Sequence, residues 1–309
     1  MTLWSKLIVV ALALVVVVGC DSPEEKHRKG MLKLIRQLDD PSDAVKLSAA
    51  RSLRNWKYYR DPQAEEMVAP LSRCLKASDA EVREAAALSL SAMGPTAAKA
   101  KPALVVALGD PDTFVKMGAA GALASIGDLS EETIRILATM LHDERRAVRK
   151  SAVEAIGSTG ASAVPVLDSF RLLANDPDSG VRYSAAKSIG EIGPPAAPLT
   201  DMLVEWVRQD DIRWGGVRNV TCEALGKIGP DAHESLDALH EAMMADDGRV
   251  RANAARAVWL ISGDTETTVP VLQECLDAMV AGLQGGSSGS GDEPVRVTVP
   301  DRQARYDAN

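Results

Sequence analysis

The segment that decides the fold reads Asp176-Pro177-Asp178-Ser179-Gly180-Val181-Arg182-Tyr183-Ser184-Ala185-Ala186-Lys187-Ser188-Ile189-Gly190-Glu191-Ile192-Gly193-Pro194. Six other segments are similar to it, and the aligned valines are Val45, Val82, Val115, Val148, Val181, Val217 and Val250. A basic residue follows every one of these valines. A regular spacing of this kind indicates stacked supersecondary units, which can bury their apolar faces only against one another.

Each copy carries the signature of a capped helix. With the valine numbered as position 0, a small residue at +4 and an aliphatic residue at +8 lie on the same helical face. An aspartate shortly before the valine is predicted to cap the helix, as Asp43, Asp79, Asp112, Asp178 and Asp247. A glycine at +12 is predicted to end it in the left-handed conformation, as Gly94, Gly127, Gly193 and Gly229. A further apolar helix fits between each glycine and the next aspartate, so every copy is predicted to be a helical hairpin.

The pattern D-x-x-V-R-x-x-A-A-x-x-L-G-x-I-G resembles the HEAT repeat, in the short variety of the phycobilisome lyases, over residues 24–283. The resemblance implies an all-α protein, a right-handed α-solenoid of about seven HEAT-like helical hairpins with a closing helix at 265–283. In this family the basic residue at +1 lies beside an aspartate of an adjacent repeat. That likeness assigns Arg182 and Asp178 to stacking and capping, with a ligand-facing role as the alternative.

The N-terminus has the pattern of an exported lipoprotein. Lys6 is followed by an apolar run, residues 7–18, which is typical of a secretory signal and short for a membrane span. The residues Val17-Val18-Gly19-Cys20 resemble a bacterial lipobox. We therefore expect residues 1–19 to be a lipoprotein signal peptide and Cys20 to carry the lipid, with a simple uncleaved anchor as the alternative. Asp21 resembles an inner-membrane retention signal of enteric bacteria, but the choice between inner and outer membrane stays open.

The remaining chain divides by composition. Residues 20–283 are assigned to the solenoid, and residues 284–294 form a Gly/Ser-rich segment typical of a flexible linker. Residues 295–309 are predicted to be a disordered tail. Its alternating run from Val295 to Val299 leaves strand addition to a partner as the alternative.

Charge and cysteine usage limit the function. The formal net charge of −8 argues against nucleic acid, whose binding needs a basic surface. With Cys20 assigned to lipid, Cys74, Cys222 and Cys275 lie in repeats that are not adjacent, so we expect unpaired thiols rather than a disulfide.

Motifs for catalysis or metal binding are weak. The sequence has no phosphate-binding loop, nucleophile elbow or HExxH motif. The pairs His233-Glu234 and His240-Glu241 fall on one predicted helix, roughly 10 Å apart along its axis, which is too far for one ion. We therefore predict a protein that is not an enzyme, with no cofactor, no metal site and no small-molecule substrate.

The expected docking surface follows from the resemblance. In HEAT-like stacks the second helix of each hairpin lines the concave side, and positions +2, +6 and +10 face away from the core. Leu88 and Met117 lie on this stripe as apolar anchors, Tyr183 lies on it among charged residues, and Trp214 falls in an insertion. These four residues are the predicted partner contacts. The alternative is that Leu88 and Met117 pack against neighbouring helices and that Trp214 belongs to a packed loop.

The sequence thus predicts a lipid-anchored HEAT-repeat scaffold or adaptor that binds another protein at the bacterial cell envelope, on the exported side of the membrane. One alternative is a noncatalytic subunit that uses its convex face or its tail. The other is an enzyme or cofactor-handling protein, bilin-lyase-like or metal-dependent, with a site that the motifs do not reveal. No bilin-handling residue of the lyases can be matched to a position in this chain.

Overall fold

A computed structural model describes residues 22–54, 64–209 and 215–285, and all regular elements in these ranges are helical. The chain divides into two compact units, residues 1–126 and 127–309. The predicted signal peptide, the linker from residue 286 and the tail lie outside the described residues. The predicted all-α repeat fold is confirmed.

The first unit holds three hairpins. Its α-helices are α1 (Pro23–Gln37), α2 (Asp43–Leu53), α3 (Val68–Cys74), α4 (Ala80–Met93), α5 (Lys101–Ala107) and α6 (Thr113–Ile126). The 3₁₀ segments Ala64–Met67 and Gly94–Ala100 lead into α3 and α5. We call α2, α4 and α6, which carry the aligned valines, second helices, and the helical segments before them first helices.

The second unit holds four hairpins and the closing helix. Its α-helices are α7 (Glu131–Thr139), α8 (Arg146–Gly157), α9 (Ser179–Ile192), α10 (Thr200–Arg208), α11 (Gly215–Ile228), α12 (Leu236–Ala242), α13 (Gly248–Ser262) and α14 (Thr268–Gly285). Its 3₁₀ segments are Met140–His142, Gly160–Leu173, Pro194–Leu199 and Gly229–Ser235. The second helices are α8, α9, α11 and α13. The closing helix α14 runs to Gly285, slightly into the segment predicted as linker.

The first helices differ from the prediction of one continuous apolar α-helix per repeat. Most begin as a 3₁₀ segment, and that of repeat five is 3₁₀ throughout, from Gly160 to Leu173, with Pro165 inside it. Proline lacks the amide hydrogen and collides with the carbonyl of the preceding turn, so it breaks the regular α-helical ladder. Pro95, Pro195 and Pro230 stand in the first turn of three other 3₁₀ segments, where the amide hydrogen that proline lacks would have no helical partner.

The second helices begin at aspartate caps in most copies. The Asp178 carboxylate accepts a hydrogen bond from the Val181 amide, and Asp79 and Asp247 cap their helices in the same way. Asp112 accepts from the amides of Phe114 and Val115. Asp43 was predicted as a cap, but it is the first residue of α2 and pairs with Lys46, because the helix begins one residue earlier, after Ser42.

The predicted core face is confirmed in six of the seven copies. The anchor valines are almost fully buried there, as are the residues at +4 and +8, whereas Val45 of the first copy is half-buried. Each fully buried valine or leucine contributes roughly 1.5–3 kcal/mol relative to exposure. Thr221 takes the +4 position in repeat six and donates its hydroxyl to the Val217 carbonyl, so its polar atom is satisfied.

In the second unit neighbouring second helices touch at glycines. Gly157, Gly190 and Gly226 all occupy position +9, and a Cβ added to them would lie 2.4, 2.9 and 3.1 Å from Ser188, Ala224 and Ala257. These three partners all occupy position +7 of the following second helix. Position +9 is therefore a point of close approach by the next second helix in this unit.

Candidate protein-interaction surfaces

The predicted contact residues have different surroundings. Leu88 and Met117 are half-buried in the first unit, on either side of the close approach between Ala87 and Gly118. Tyr183 lies in the second unit and is 43% exposed. Trp214 and Cys20 lie outside the described residues. The docking role of these residues stays a prediction.

The stripe of repeats four to six is charged, as the sequence predicts, and its charges pair within each helix. Lys150–Glu154, Lys187–Glu191 and Glu223–Lys227 are separated by 3.8, 3.7 and 2.7 Å, each four residues apart. Exposed pairs of this type contribute about 0.3–0.5 kcal/mol. They leave Tyr183 as the large apolar group of this stripe.

The basic residue at +1 binds an aspartate that sequence reasoning did not single out. Arg83 holds both carboxylate oxygens of Asp110 at 2.7 and 2.9 Å, and Arg149 holds Asp176 with the same two distances. These aspartates lie five residues before the next valine, at the end of the first helix. Each arginine also donates Nη1 to two carbonyl groups at the end of its own first helix. These arginine–aspartate pairs, which we call the arginine ladder, therefore hold adjacent repeats together. Asp178 itself pairs with Arg146.

The last arginine of the ladder meets a different residue. Arg251 donates Nη1 to the carbonyls of Ala245 and Asp246, as in the other repeats. Ala278 of α14 stands 27 residues after it, where Arg83 and Arg149 have their aspartates. The buried Nε of Arg251 has no hydrogen-bond partner among the described residues. Gln209 and Ala245 stand at the same place after Arg182 and Arg218, so this aspartate is already absent from the last three repeats of the second unit.

The outer side of α14 exposes residues that complete repeats bury. Leu38, Leu75, Leu108, Leu141 and Met243 lie seven residues before their anchor valines and are at most 6% exposed. Leu276 follows Met243 by one repeat length, 33 residues, yet it is 48% exposed. In the complete repeats a second helix follows and covers this position, whereas α14 continues as a helix to Gly285. Leu276 therefore faces the place that a second helix fills in the complete repeats.

Trp259, on the preceding helix α13, borders the same place. It occupies +9 of α13, where the three earlier repeats of the second unit have the crossing glycines, and it is 48% exposed. Val269, Met279, Val280 and Leu260 are also exposed. We call Trp259, Val269, Leu276, Met279 and Val280 the end surface. Terminal repeats of soluble solenoids usually present a polar outer face, so an apolar end calls for a partner.

A groove between the first helices of repeats five and six has a volume of about 600 Å³. Arg171 pairs with Asp201 at 2.8 Å and donates to the Pro198 carbonyl, while Trp206 Nε1 donates to the Ala174 carbonyl. Its charged and polar groups thus already hold the two first helices together.

The histidines and thiols offer little chemistry. Within residues 22–54, 64–209 and 215–285, no three His, Cys, Asp or Glu side chains come together as a metal site would need. The Nδ1 atom of His240 lies 2.8 Å from the Leu236 carbonyl. Burial raises the pKa of the Cys74 thiol to about 11 and that of Cys222 to about 12, which disfavours the reactive thiolate. Cys74, Cys222 and the half-buried Cys275 are free thiols.

The geometry defines a class of protein, an all-helical repeat protein consistent with an α-solenoid. Sequence comparison then gives the family: HEAT repeats match at residues 31–101, 96–157 and 139–215, more than half of the chain, so the chain belongs to the HEAT-repeat family. An engineered protein solved by the Northeast Structural Genomics Consortium is similar in fold, with a TM-score of 0.57, 22% identity, and coverage of 84% of this chain and 75% of that one.

A designed armadillo repeat protein also matches, with a TM-score of 0.45, 18% identity, and coverage of 74% of this chain and 99% of that one. No curated protein matches the chain in sequence. In the described ranges, none of the helices has the length and hydropathy needed to cross a bilayer.

Proposed function

We propose that this chain is a lipid-anchored HEAT-repeat scaffold or adaptor that binds another protein at the bacterial cell envelope. Repeat stacks of this family commonly bind protein partners, and the fold is typical of non-enzymatic scaffolds. The observation that carries the proposal is the end surface, where large apolar side chains stand exposed on the last repeat. Contiguous apolar surface of this kind marks interaction sites on soluble domains.

The anchor is proposed from the sequence alone. The lipobox-like residues before Cys20 support acylation of its thiol, and stable attachment needs two anchoring signals, which a multiply acylated N-terminus provides. Cells that express the wild type or Cys20→Ala are labelled with a radioactive fatty acid and then fractionated. We expect label and membrane attachment only in the wild type. A Cys20→Ala chain that keeps both would refute the anchor.

Leu88 and Met117 on the stripe of the first unit and Tyr183 on that of the second are proposed as partner contacts, as is Trp214. The test is partner recovery from the protein's own cells with the double variant Met117→Asp and Tyr183→Asp. We expect recovery to fall while the melting temperature stays within a few degrees. Full recovery with the folded double variant would exclude these contacts. The matched control is the double variant Val106→Asp and Leu172→Asp, which places the same two charges at exposed apolar positions on first helices.

A further inference from the structure

Among the described residues, the second unit ends in a helix that resembles a first helix, with no second helix described after it. Helix α14 packs on α13 as a first helix does, with Thr268 buried, while Leu276 faces outward at a position that complete repeats cover with a second helix. Trp259 stands at the +9 position of α13, which the following second helix approaches in earlier repeats. Both residues therefore border the same unfilled second-helix position.

We propose that a helix from a protein partner fills this position and completes the eighth repeat. This inference rests on the proposed function and names the surface and the chemistry of the partner. The helix would place an apolar face on Leu276, Met279, Val280 and Trp259. A helix laid into a hydrophobic groove is a common mode of peptide recognition.

Charge specifies the partner further. Helix α14 contains Glu274 and Asp277 but no lysine or arginine, and Asp264 and Glu266 precede it. Gln273 donates to Asp277 at 2.9 Å, which fixes this carboxylate beside the apolar stripe. We call these acidic residues the rim of the end surface. A partner helix with basic residues on either side of its apolar face would be complementary to this rim. The last second helix of this chain has this character, because Arg249 and Arg256 are exposed on it.

Other occupants fit less well. Two copies joined through α14 would bring Glu274 and Asp277 of both chains together without a cation on that helix. An anionic lipid surface would meet the exposed carboxylates of Glu266 and Asp277, against the exposed Arg256 on α13. The segment 286–309 offers a Gly/Ser run and then a Val-rich run between Pro294 and Pro300, which lacks the spacing of an amphipathic helix.

The probe is a labelled synthetic peptide of residues 247–263, the chain's own last second helix with its Asp cap, three arginines and closing glycine. It is titrated against the full chain in phosphatidylcholine nanodiscs, and fluorescence anisotropy reports binding. We expect saturable binding that Leu276→Asp and Met279→Asp each weaken at least tenfold. Leu172→Asp, a matched control at an exposed leucine of another repeat, should bind as the wild type does.

A charge swap tests the rim. A peptide with its arginines changed to glutamate should bind at least tenfold more weakly, and Asp277→Lys should restore part of its affinity. Absence of saturable wild-type binding, or equal binding by Leu276→Asp and Met279→Asp, overturns the proposal. So does self-association of the full chain that Leu276→Asp abolishes without peptide binding, or binding to bare phosphatidylglycerol vesicles that this variant abolishes.

The scaffold function and the docking role of the end surface can be tested separately. If the wild type recovers a protein from its cells and Leu276→Asp recovers as much, the end surface is not the docking site and the scaffold function stands. If the peptide binds at the end surface but the full chain forms no protein complex in its cells, the scaffold function fails and the partner helix fails with it, although the end surface can hold a helix.

Discussion

Arg149 binds the carboxylate of Asp176, in the next repeat, through two hydrogen bonds. Its Nε and Nη2 atoms each donate to one carboxylate oxygen, at 2.7 and 2.9 Å. The side chains are only 11% and 4% exposed. The same arginine donates to the Asp143 and Glu144 carbonyls, so one guanidinium joins two repeats and closes a first helix. This geometry gives the basic residue after the anchor valine a structural role at Arg83 and Arg149.

Removing this arginine should destabilise the second unit strongly. Arg149→Ala leaves the Asp176 carboxylate buried without its cation, and breaking a buried pair in this way costs about 3–5 kcal/mol. Arg146→Ala, on the same helix, removes an exposed partner of Asp178 and should cost less than about 1 kcal/mol. Urea unfolding followed by circular dichroism measures both. Equal losses in the two variants would contradict the structural role of the ladder.

Acid should weaken the helix cap at Asp178. The hydrogen bond from Arg146, assisted by the Val181 amide, lowers the pKa of Asp178 below its usual value. Because the folded-state pKa is the lower one, this stabilisation is complete above the unfolded value of about 3.9 and is lost as the pH falls through the folded value. Thermal unfolding between pH 6 and pH 2.5 should show a smaller acid-induced decrease for Asp178→Asn. An identical pH profile for the two proteins would exclude this contribution.

The crossing glycines should not tolerate a methyl group. A Cβ at position 157 would lie 2.8 Å from the Ser188 Cα, so Gly157→Ala forces two second helices apart and should cost about 1–3 kcal/mol. At Gly121, also within a helix, the added Cβ meets only the Ser91 hydroxyl at 3.9 Å. Gly121→Ala should be neutral or stabilise by up to about 1 kcal/mol. Thermal melts compare the pair, and a stable Gly157→Ala protein would show that the crossing is looser than described.

Two thiols should stay protected until the protein unfolds. Burial raises the pKa of Cys74 to about 11 and that of Cys222 to about 12, so neither forms much thiolate at pH 8. A colorimetric disulfide reagent should therefore react with them only after guanidinium is added. Cys74→Ser and Cys222→Ser variants assign the two signals. Rapid reaction of either thiol in the native protein would mean that its repeat opens readily.

Most of the repeat architecture could be predicted from local sequence. Position 0, +4 and +8 define a buried helical face whatever lies next to it, and the caps at Asp79, Asp178 and Asp247 act within one turn. The closing glycines are equally local: Gly94, Gly127, Gly193 and Gly229 all have positive φ, as predicted. These features depend on residues within a single helix, which is why the pattern reveals them.

The pairing and the surfaces could not be predicted as well. The Asp178 assignment chose the nearest aspartate, whereas the arginine ladder reaches Asp110 and Asp176 across a repeat boundary. The end surface was missed because Leu276 and Trp259 look like ordinary core residues in sequence. Their exposure depends on a helix that does not follow in the described chain. The position seven residues before the anchor was the available signal, since it is apolar in most copies and α14 keeps it although no second helix is described after Gly285.

The central claim, that these repeats bind another protein, is tested most directly by the mass and composition of the particle that carries the chain in its own cells. Cells are cross-linked, the tagged full chain is purified from solubilised membranes, and the particle is measured by light scattering and mass spectrometry. We predict a complex with a second polypeptide at a fixed ratio, reduced by Leu276→Asp and retained by Leu172→Asp. A wild-type particle that contains the chain alone would contradict the claim.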